Sequence, residues 1–498
     1  MNTIFDKLKN YSDSDYYAFH MPGHKRNLDL MDGTSPYRID ITEIDGFDDL
    51  HHAEGILRDA QERAARVYQA DETHFLVNGS TVGIISAILG TTEKGDSILV
   101  ARNCHKSVYH AIYLNELDPV YLYPKFDTEQ GLSTEIDAAD VQKALEEHPK
   151  IRAVMIVSPT YDGVVSDIEK IAEIVHAKGC PLIVDEAHGA HFGFDPYFPK
   201  SANIYGADLV INSLHKTLPA LTQTALLHVN GDMVKRRKVK QYLDMLQTSS
   251  PSYILMASID ACIGMLEETL ETHSDTRSDY KYKNIFSEYA NRIEALRKDL
   301  KRLKYLKIIQ TDNTDRYDRS KFVISVKHAP MSSHELYEIL LHRYHLQMEM
   351  LAGTYVLAMT TVGDTQEGLD RLRDALLEID KEIDTRQGRP AAIETDLPLS
   401  GRQPALEKVW TIAEAVNRRD KIQKRSFEDS IGCISVEYAY LYPPGSPLIV
   451  PGERITKEAV EILHWYQEHD FSIEGLQSED GIEVWIDAVS YTHLTLPT

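Results

Sequence analysis

The chain has 498 residues, too many for one compact core, so two or three domains are expected. Hydrophobic residues make up 43% and charged residues 26%, which excludes wholesale disorder. A formal charge of −24, from 53 Lys+Arg against 77 Asp+Glu, makes it a poor nonspecific ligand for nucleic acid or an anionic membrane, though it suits solubility and the attraction of a cationic substrate.

Residues 1–50 read as irregular, with turn signals at Met21-Pro22-Gly23 and Asp32-Gly33. The start has no apolar stretch of signal-peptide type, and no run of 18 apolar residues follows, so a cytoplasmic protein without membrane contact is expected. From Glu54 to Ala70 the apolar spacing predicts an amphipathic helix. Short apolar runs at 97–101, 119–123, 153–157, 181–185 and 208–212 then predict strands, with helices between them such as Asp167–Lys178. That alternation predicts an α/β fold with a mostly parallel sheet covered on both faces, whose ligands bind at the carboxyl ends of the strands. After about residue 230 long helical patterns cover 253–272 and 278–304. A smaller α/β piece follows, with strands at 321–326 and 356–362 and helices from Ser333 and from Thr365 to about Arg386. Residues 386–404 read as a linker to a last unit. The final VSYTHLTLPT (489–498) continues no pattern from the strand at 483–487 and reads as a non-native tail. Cys104, Cys180, Cys262 and Cys433 are far apart and form no CxxC, so no disulfide framework, zinc ribbon or other metal site is expected.

Asp185-Glu186-Ala187-His188 directly follows the strand at 181–185. The same four letters hold magnesium in helicases, but that chemistry needs a GxxxxGK[ST] loop, and the chain contains no Gly-Lys pair. An acid at a strand end is commonly a solvated cap; here an apolar strand and a His-Gly-Ala-His run flank it. Thirty-one residues on, Lys216 follows another strand beside His215 and precedes an apolar, hydroxyl-containing run. A lone lysine is usually solvated, whereas one desolvated in such a place has a lowered pKa and forms Schiff bases. An amine at one strand end and a carboxylate at another match pyridoxal phosphate, which needs a lysine for its aldehyde and an acid at its ring nitrogen. Asn78-Gly79-Ser80-Thr81 opens a helical stretch and can seat the phosphate on backbone N–H groups and hydroxyls, although Ser and Thr are also ordinary helix caps. Ser213 and His215 are further phosphate donors. His105, after the strand at 97–101, reads as a ring-stacking group or as an ordinary loop histidine.

With these residues in view, the chain resembles the bacterial ornithine/lysine/arginine decarboxylase family of pyridoxal-phosphate enzymes, which have the aspartate-aminotransferase type of fold. The matching segments run in order over almost the whole chain: FHMPGHK (19–25), DITEIDGFDDLH (40–51), NGST (78–81), RNCHKS (102–107), SPTYDG (158–163), VDEAHGAH (184–191), SLHKTLPALTQ (213–223), QTSSPSYILMASID (247–260) and YPPGSPLIVPGE (442–453). The resemblance implies a seven-stranded, mostly parallel sheet and an N-terminal segment (1–50). It also implies a cofactor-binding large domain (51–310), a small α/β domain (311–390) and a C-terminal decarboxylase domain (391–488). It implies that Lys216 binds the cofactor, Asp185 pairs with the ring nitrogen, His105 stacks on the ring and His188 lines the site. Gly79, Ser80, Thr81, Ser213 and His215 would hold the phosphate. The implied activity is decarboxylation of a basic amino acid, arginine first, then lysine and ornithine, in polyamine synthesis. Glu349 and Glu437 lie in family-like segments and are candidates for the distal substrate charge; each reads equally well as a surface or structural acid. The chain starts directly at the FHMPGHK region, as in the branch without an N-terminal response-regulator-like wing, so a homodimer or a small oligomer of dimers is expected. An aminotransferase using the same lysine would need an arginine clamp, which no segment offers. A non-catalytic homologue should have lost Lys216 or His105.

Overall fold

The computed structural model describes residues 13–25, 27, 39–271, 281–310, 314–385, 403–418, 420–442 and 445–486. Its centre is a seven-stranded sheet of β1 (Glu72–Leu76), β2 (Ser97–Ala101), β3 (Asp118–Leu122), β4 (Ile151–Val157), β5 (Leu182–Asp185), β6 (Leu209–Ser213) and β7 (Ala225–Val229), in the order β1-β7-β6-β5-β4-β2-β3. Strands β6, β5, β4, β2 and β3 pair in parallel, while β7 is antiparallel to both its neighbours. Six strands therefore run one way, and their carboxyl ends share one edge of the sheet. The central strands are near-continuous apolar runs because helices cover both faces; every residue of β5 and β6 is buried. Asp167 caps the helix Ile168–Ala177, its side chain accepting from the Lys170 N–H.

The five strands predicted for the large sheet and the one at 321–326 sit where the sequence puts them, to within a residue or two at their ends, while the strand predicted at 356–362 is Tyr355–Met359 and ends three residues earlier. Strand β7 lies in the apolar run after Lys216, where periodicity alone suggests only a desolvating segment. The stretch read as irregular contains a three-residue strand, Tyr17–Phe19, paired in parallel with Leu346–Met348. Three residues carry too little periodicity to be seen, and the partner is far along the chain. The Asp32-Gly33 turn, residues 386–402 of the linker and the 489–498 tail lie outside the described residues. Among the described residues no helix is long and apolar enough to cross a membrane.

A four-stranded antiparallel sheet, in the order Lys307–Ile308, Lys321–Ser325, Tyr355–Met359, Met350–Ala352, stands beside the large sheet. The last unit has two three-stranded sheets and the helix Lys457–Glu468, around a separate apolar cluster that includes Leu448, Leu463 and Val484. Arg102, one residue past β2, ties this unit to the large sheet. Its guanidinium makes a two-pronged pair with Glu453 at 2.8 and 2.7 Å and donates to the Leu448 and Pro447 carbonyls at 2.9 and 3.2 Å. Both partners are buried, at 0% and 1% side-chain exposure. Arg102→Ala strands a buried carboxylate, so it should destabilise the protein by about 3–5 kcal/mol. Denaturant unfolding checks this; a loss below about 1 kcal/mol would show that the pair contributes little beyond its own desolvation.

Candidate active site

The carboxyl ends of β4, β5 and β6 open onto a cavity of about 410 Å³. Gly79, Ser80, Thr81, His105, Asp185, His188, Ser213, His215 and Lys216 all line it. Sheet topology is the reason: residues far apart in sequence follow strands that end at the same edge.

Lys216 sits in a single helical turn, Leu214–Thr217, directly after β6, with its Nζ 3.0 Å from His188 Nε2. Burial pushes the amine pKa down, while Asp185 and Glu349 pull it up. Burial, then Lys216, push His188 well below the ordinary histidine value, so its ring is neutral near pH 7. His188 Nδ1 is buried without a hydrogen-bond partner among the described residues. Asp185 ends β5 and is 4% exposed; its Oδ1 accepts from the Ala187 N–H at 3.0 Å. Burial raises its pKa and Lys216 lowers it, so a second cationic partner would stabilise the ionised form.

The helix Gly79–Thr91 points its first turn at the cavity, and its N-cap Asn78 makes no side-chain cap. Gly79 has φ +71°, which favours glycine there for backbone reasons. Ser80 Oγ and Ser213 Oγ lie 2.5 Å apart at this end, and Thr81 lines the mouth. The Nδ1 of His215 is 2.9 Å from the Thr224 carbonyl, so Nδ1 carries the proton; Nε2 can donate to an anion only when the ring is protonated. His105 does more than line the wall. It is the N-cap of the helix Lys106–Leu114, its Nδ1 accepting from the Ser107 N–H at 3.2 Å. Burial, followed by Lys216, Lys106 and His110, lowers its pKa to about 4. The ring is therefore neutral, orientation-locked and able to stack. Gly23 of the N-terminal segment donates its N–H to the His215 carbonyl at 2.7 Å, and a Cβ there would lie 2.7 Å from Leu218 backbone atoms. The FHMPGHK segment thus lies directly against the lysine turn.

The two distal-charge candidates separate. Glu349 stands beside the cavity but is engaged: its Oε2 accepts from the Met21 N–H at 2.8 Å and its Oε1 from the Tyr161 hydroxyl. Glu437 does not line the cavity; its oxygens accept from the Gln477 and Glu483 N–H groups at 2.9 and 2.7 Å, a structural role in the last unit. Sequence reasoning assigned no role to Asn103, Thr160, Tyr161, Asp162, Thr222 and Gln223, which also line the cavity. Tyr161 packs on His188 with ring centroids 4.4 Å apart. The signal was available, since SPTYDG directly follows β4 and ligands bind at strand ends.

Pyridoxal phosphate fits this cavity on its own chemistry. The uncapped helix end and paired hydroxyls suit a phosphate, Asp185 suits a protonated ring nitrogen, the neutral His105 suits a flat ring, and Lys216 is a depressed-pKa amine. Residues 2–339 match the model of the Orn/Lys/Arg decarboxylase major domain and 402–489 that of its C-terminal domain. The chain is 36% identical over 472 residues to the uncharacterized protein YaaO of Bacillus subtilis (strain 168), covering 93% of this chain and 94% of that one. It is 31% identical over 477 residues to the arginine decarboxylase of the same organism, covering 92% of each. The lysine decarboxylase LdcF of Francisella novicida shares the fold at TM-score 0.76 and 19% identity, over 96% of this chain and 80% of that one. The chain belongs to the Orn/Lys/Arg decarboxylase family of pyridoxal-phosphate-dependent carboxy-lyases.

Proposed function

We infer that this enzyme decarboxylates arginine to agmatine in the cytoplasm, as a step in polyamine synthesis, with lysine and then ornithine as alternative substrates. The observation that carries the chemistry is the cavity that places the Lys216 amine 3.0 Å from His188 beside the buried Asp185. The choice of arginine is supported by the relative named arginine decarboxylase, which matches over 92% of both chains. No arginine of the described residues lines the cavity, which disfavours an aminotransferase needing a second carboxylate clamp. Lys216 and His105 are both present, unlike the pattern expected of a non-catalytic homologue.

When bound, pyridoxal phosphate supplies an aldehyde for an amine and a conjugated ring that accepts the electron pair left as CO2 departs. The chain's own residues do the rest. Ser80, Thr81, Ser213 and the first-turn N–H groups of Gly79–Thr91 hold the phosphate end. His105 packs one ring face, and its capping bond fixes the imidazole plane. Asp185 holds a proton at the ring nitrogen. Lys216 would hold the cofactor through its amine, and Lys216 or His105 would return a proton to the substrate Cα; neutral His188, 3.0 Å away, would orient the Lys216 amine.

Product identification after incubation with arginine, lysine and ornithine tests the reading. Arginine should turn over best and uncharged citrulline poorly, by on the order of 10- to 100-fold in kcat/KM, because a buried carboxylate left without its cation is costly. Equal turnover of norleucine and arginine would remove the basic-substrate claim. The active form is a homodimer or a small oligomer of dimers. Thr248 of QTSSPSY donates its N–H to Asn78 Oδ1 at 3.2 Å beside the phosphate end, and the neighbouring Met245 and Leu246 are exposed. Light scattering should report at least twice the 56.5 kDa chain mass; full activity at the mass of one chain would refute the dimer.

A further inference from the structure

A smaller cavity of about 100 Å³ adjoins the cofactor cavity, and Asp162 and Asn103 line both. The smaller space lies between the four-stranded sheet and the last unit, with Phe126, Tyr355, Gln403, Leu441, Ser446 and Tyr466 among its walls. Asp162 is 5% exposed, and its Oδ1 accepts from the Tyr355 hydroxyl at 2.5 Å. Among the described residues it has no ion-pair partner. The buried Lys321 attracts it from a distance but lies 3.8 Å from Asp318 and makes no hydrogen bond of its own. Its carboxylate is held by a phenol and its own backbone N–H with no cation of the described residues in contact, which is uncommon because ionised groups out of water are normally paired. Burial accordingly pushes the Asp162 pKa up to about 6.

The geometry points to Asp162 as the residue that receives the distal cation of the substrate, with the smaller cavity as the chamber that accepts the end of the side chain. This rests on the reading of the chain as a basic amino-acid decarboxylase. The amino-acid end must sit at Lys216, so the distal group must leave the cofactor cavity past one of its walls. Of the acids weighed from sequence, Glu349 is engaged by Met21 and Tyr161, and Glu437 by two backbone N–H groups. Asp162 stands at the passage between the two spaces. Beyond it, Phe126, Tyr355 and Tyr466 supply aromatic surface, which suits a planar guanidinium. The chamber takes walls from the last unit, so that unit shapes side-chain selection in addition to burying its own core.

The test compares arginine and citrulline on the wild-type enzyme and on Asp162→Asn, with cofactor content measured by absorbance. The variant should keep its cofactor, and its arginine-to-citrulline ratio of kcat/KM should fall on the order of 10- to 100-fold, mostly through KM for arginine. An unchanged ratio at full cofactor occupancy overturns the assignment. If the wild type turns over no basic amino acid, the functional reading fails by itself. Calorimetry with agmatine then decides the Asp162 claim separately: binding weakened in Asp162→Asn supports it, and equal binding overturns it. Should Asp162→Asn not fold, Ser446→Phe narrows the chamber from the other side. It should raise KM for arginine about tenfold more than for the shorter ornithine; an equal rise for both overturns the chamber.

Discussion

Lys216→Ala should lose turnover by more than about 10³-fold, because on the proposed reading it removes the covalent attachment point and a proton-transfer group whose contribution alone is typically 10²–10⁴-fold. The protein buries other amines, and the structure distinguishes them. Lys25 donates its Nζ to the His20 and Met359 carbonyls at 2.9 and 2.7 Å, which ties it into the backbone. Lys321 is held near Asp318, and burial lowers its pKa to about 8. Only Lys216 of the three lines the cavity. It also contacts a histidine that burial keeps neutral, so its own proton has a nearby acceptor. Borohydride reduction of the wild type should fix the cofactor on the peptide containing Lys216, and Lys216→Ala should show no such adduct. Trapping on Lys25 or Lys321 would overturn the assignment.

Asp185→Asn should bind cofactor and still permit its reductive trapping on Lys216, yet lose roughly 10²–10³-fold in kcat. The carboxylate ends a fully buried strand and is held by one backbone N–H, so the amide can take its place without a change of shape. What the amide cannot do is favour a proton on a pyridine nitrogen, an effect worth about 1–3 pKa units for a close opposite charge. The charge matters most as electrons move toward the ring, so the loss should fall on kcat more than on KM. A solvated strand-end acid would behave otherwise, with little change in either constant. Near wild-type turnover at full cofactor content would place the ring nitrogen elsewhere.

Much of the site was legible in the sequence because each of its main residues directly follows a strand that local periodicity reveals. Asp185 and Lys216 end apolar runs, and NGST opens a helix, so strand-end geometry places all three at one edge of a parallel sheet. The run of family segments adds His105 and His188. Short-range pattern records burial and local turn chemistry, and those suffice for five strands of the large sheet, the long helices and the motif positions.

The rest was decided by contacts that no sequence window contains. The cap that orients His105 is local, onto the Ser107 N–H two residues on, but it forms only where the helix Lys106–Leu114 begins; the other contacts are distant. Gly23 lies against the lysine turn through a contact spanning nearly two hundred residues, and the strand Tyr17–Phe19 exists only because Leu346–Met348 is beside it. The direction of β7 follows from its two neighbours, since antiparallel and parallel strands can share one apolar pattern. Glu349 and Glu437 were indistinguishable by local sequence; the hydrogen bonds made by Met21, Tyr161, Gln477 and Glu483 separate them. Asp162 carries no mark of burial in the sequence, because a carboxylate in a turn motif such as SPTYDG is ordinarily solvated. Its desolvation comes from the packing of the four-stranded sheet and the last unit around it, and burial of a charge is a property of the assembled volume.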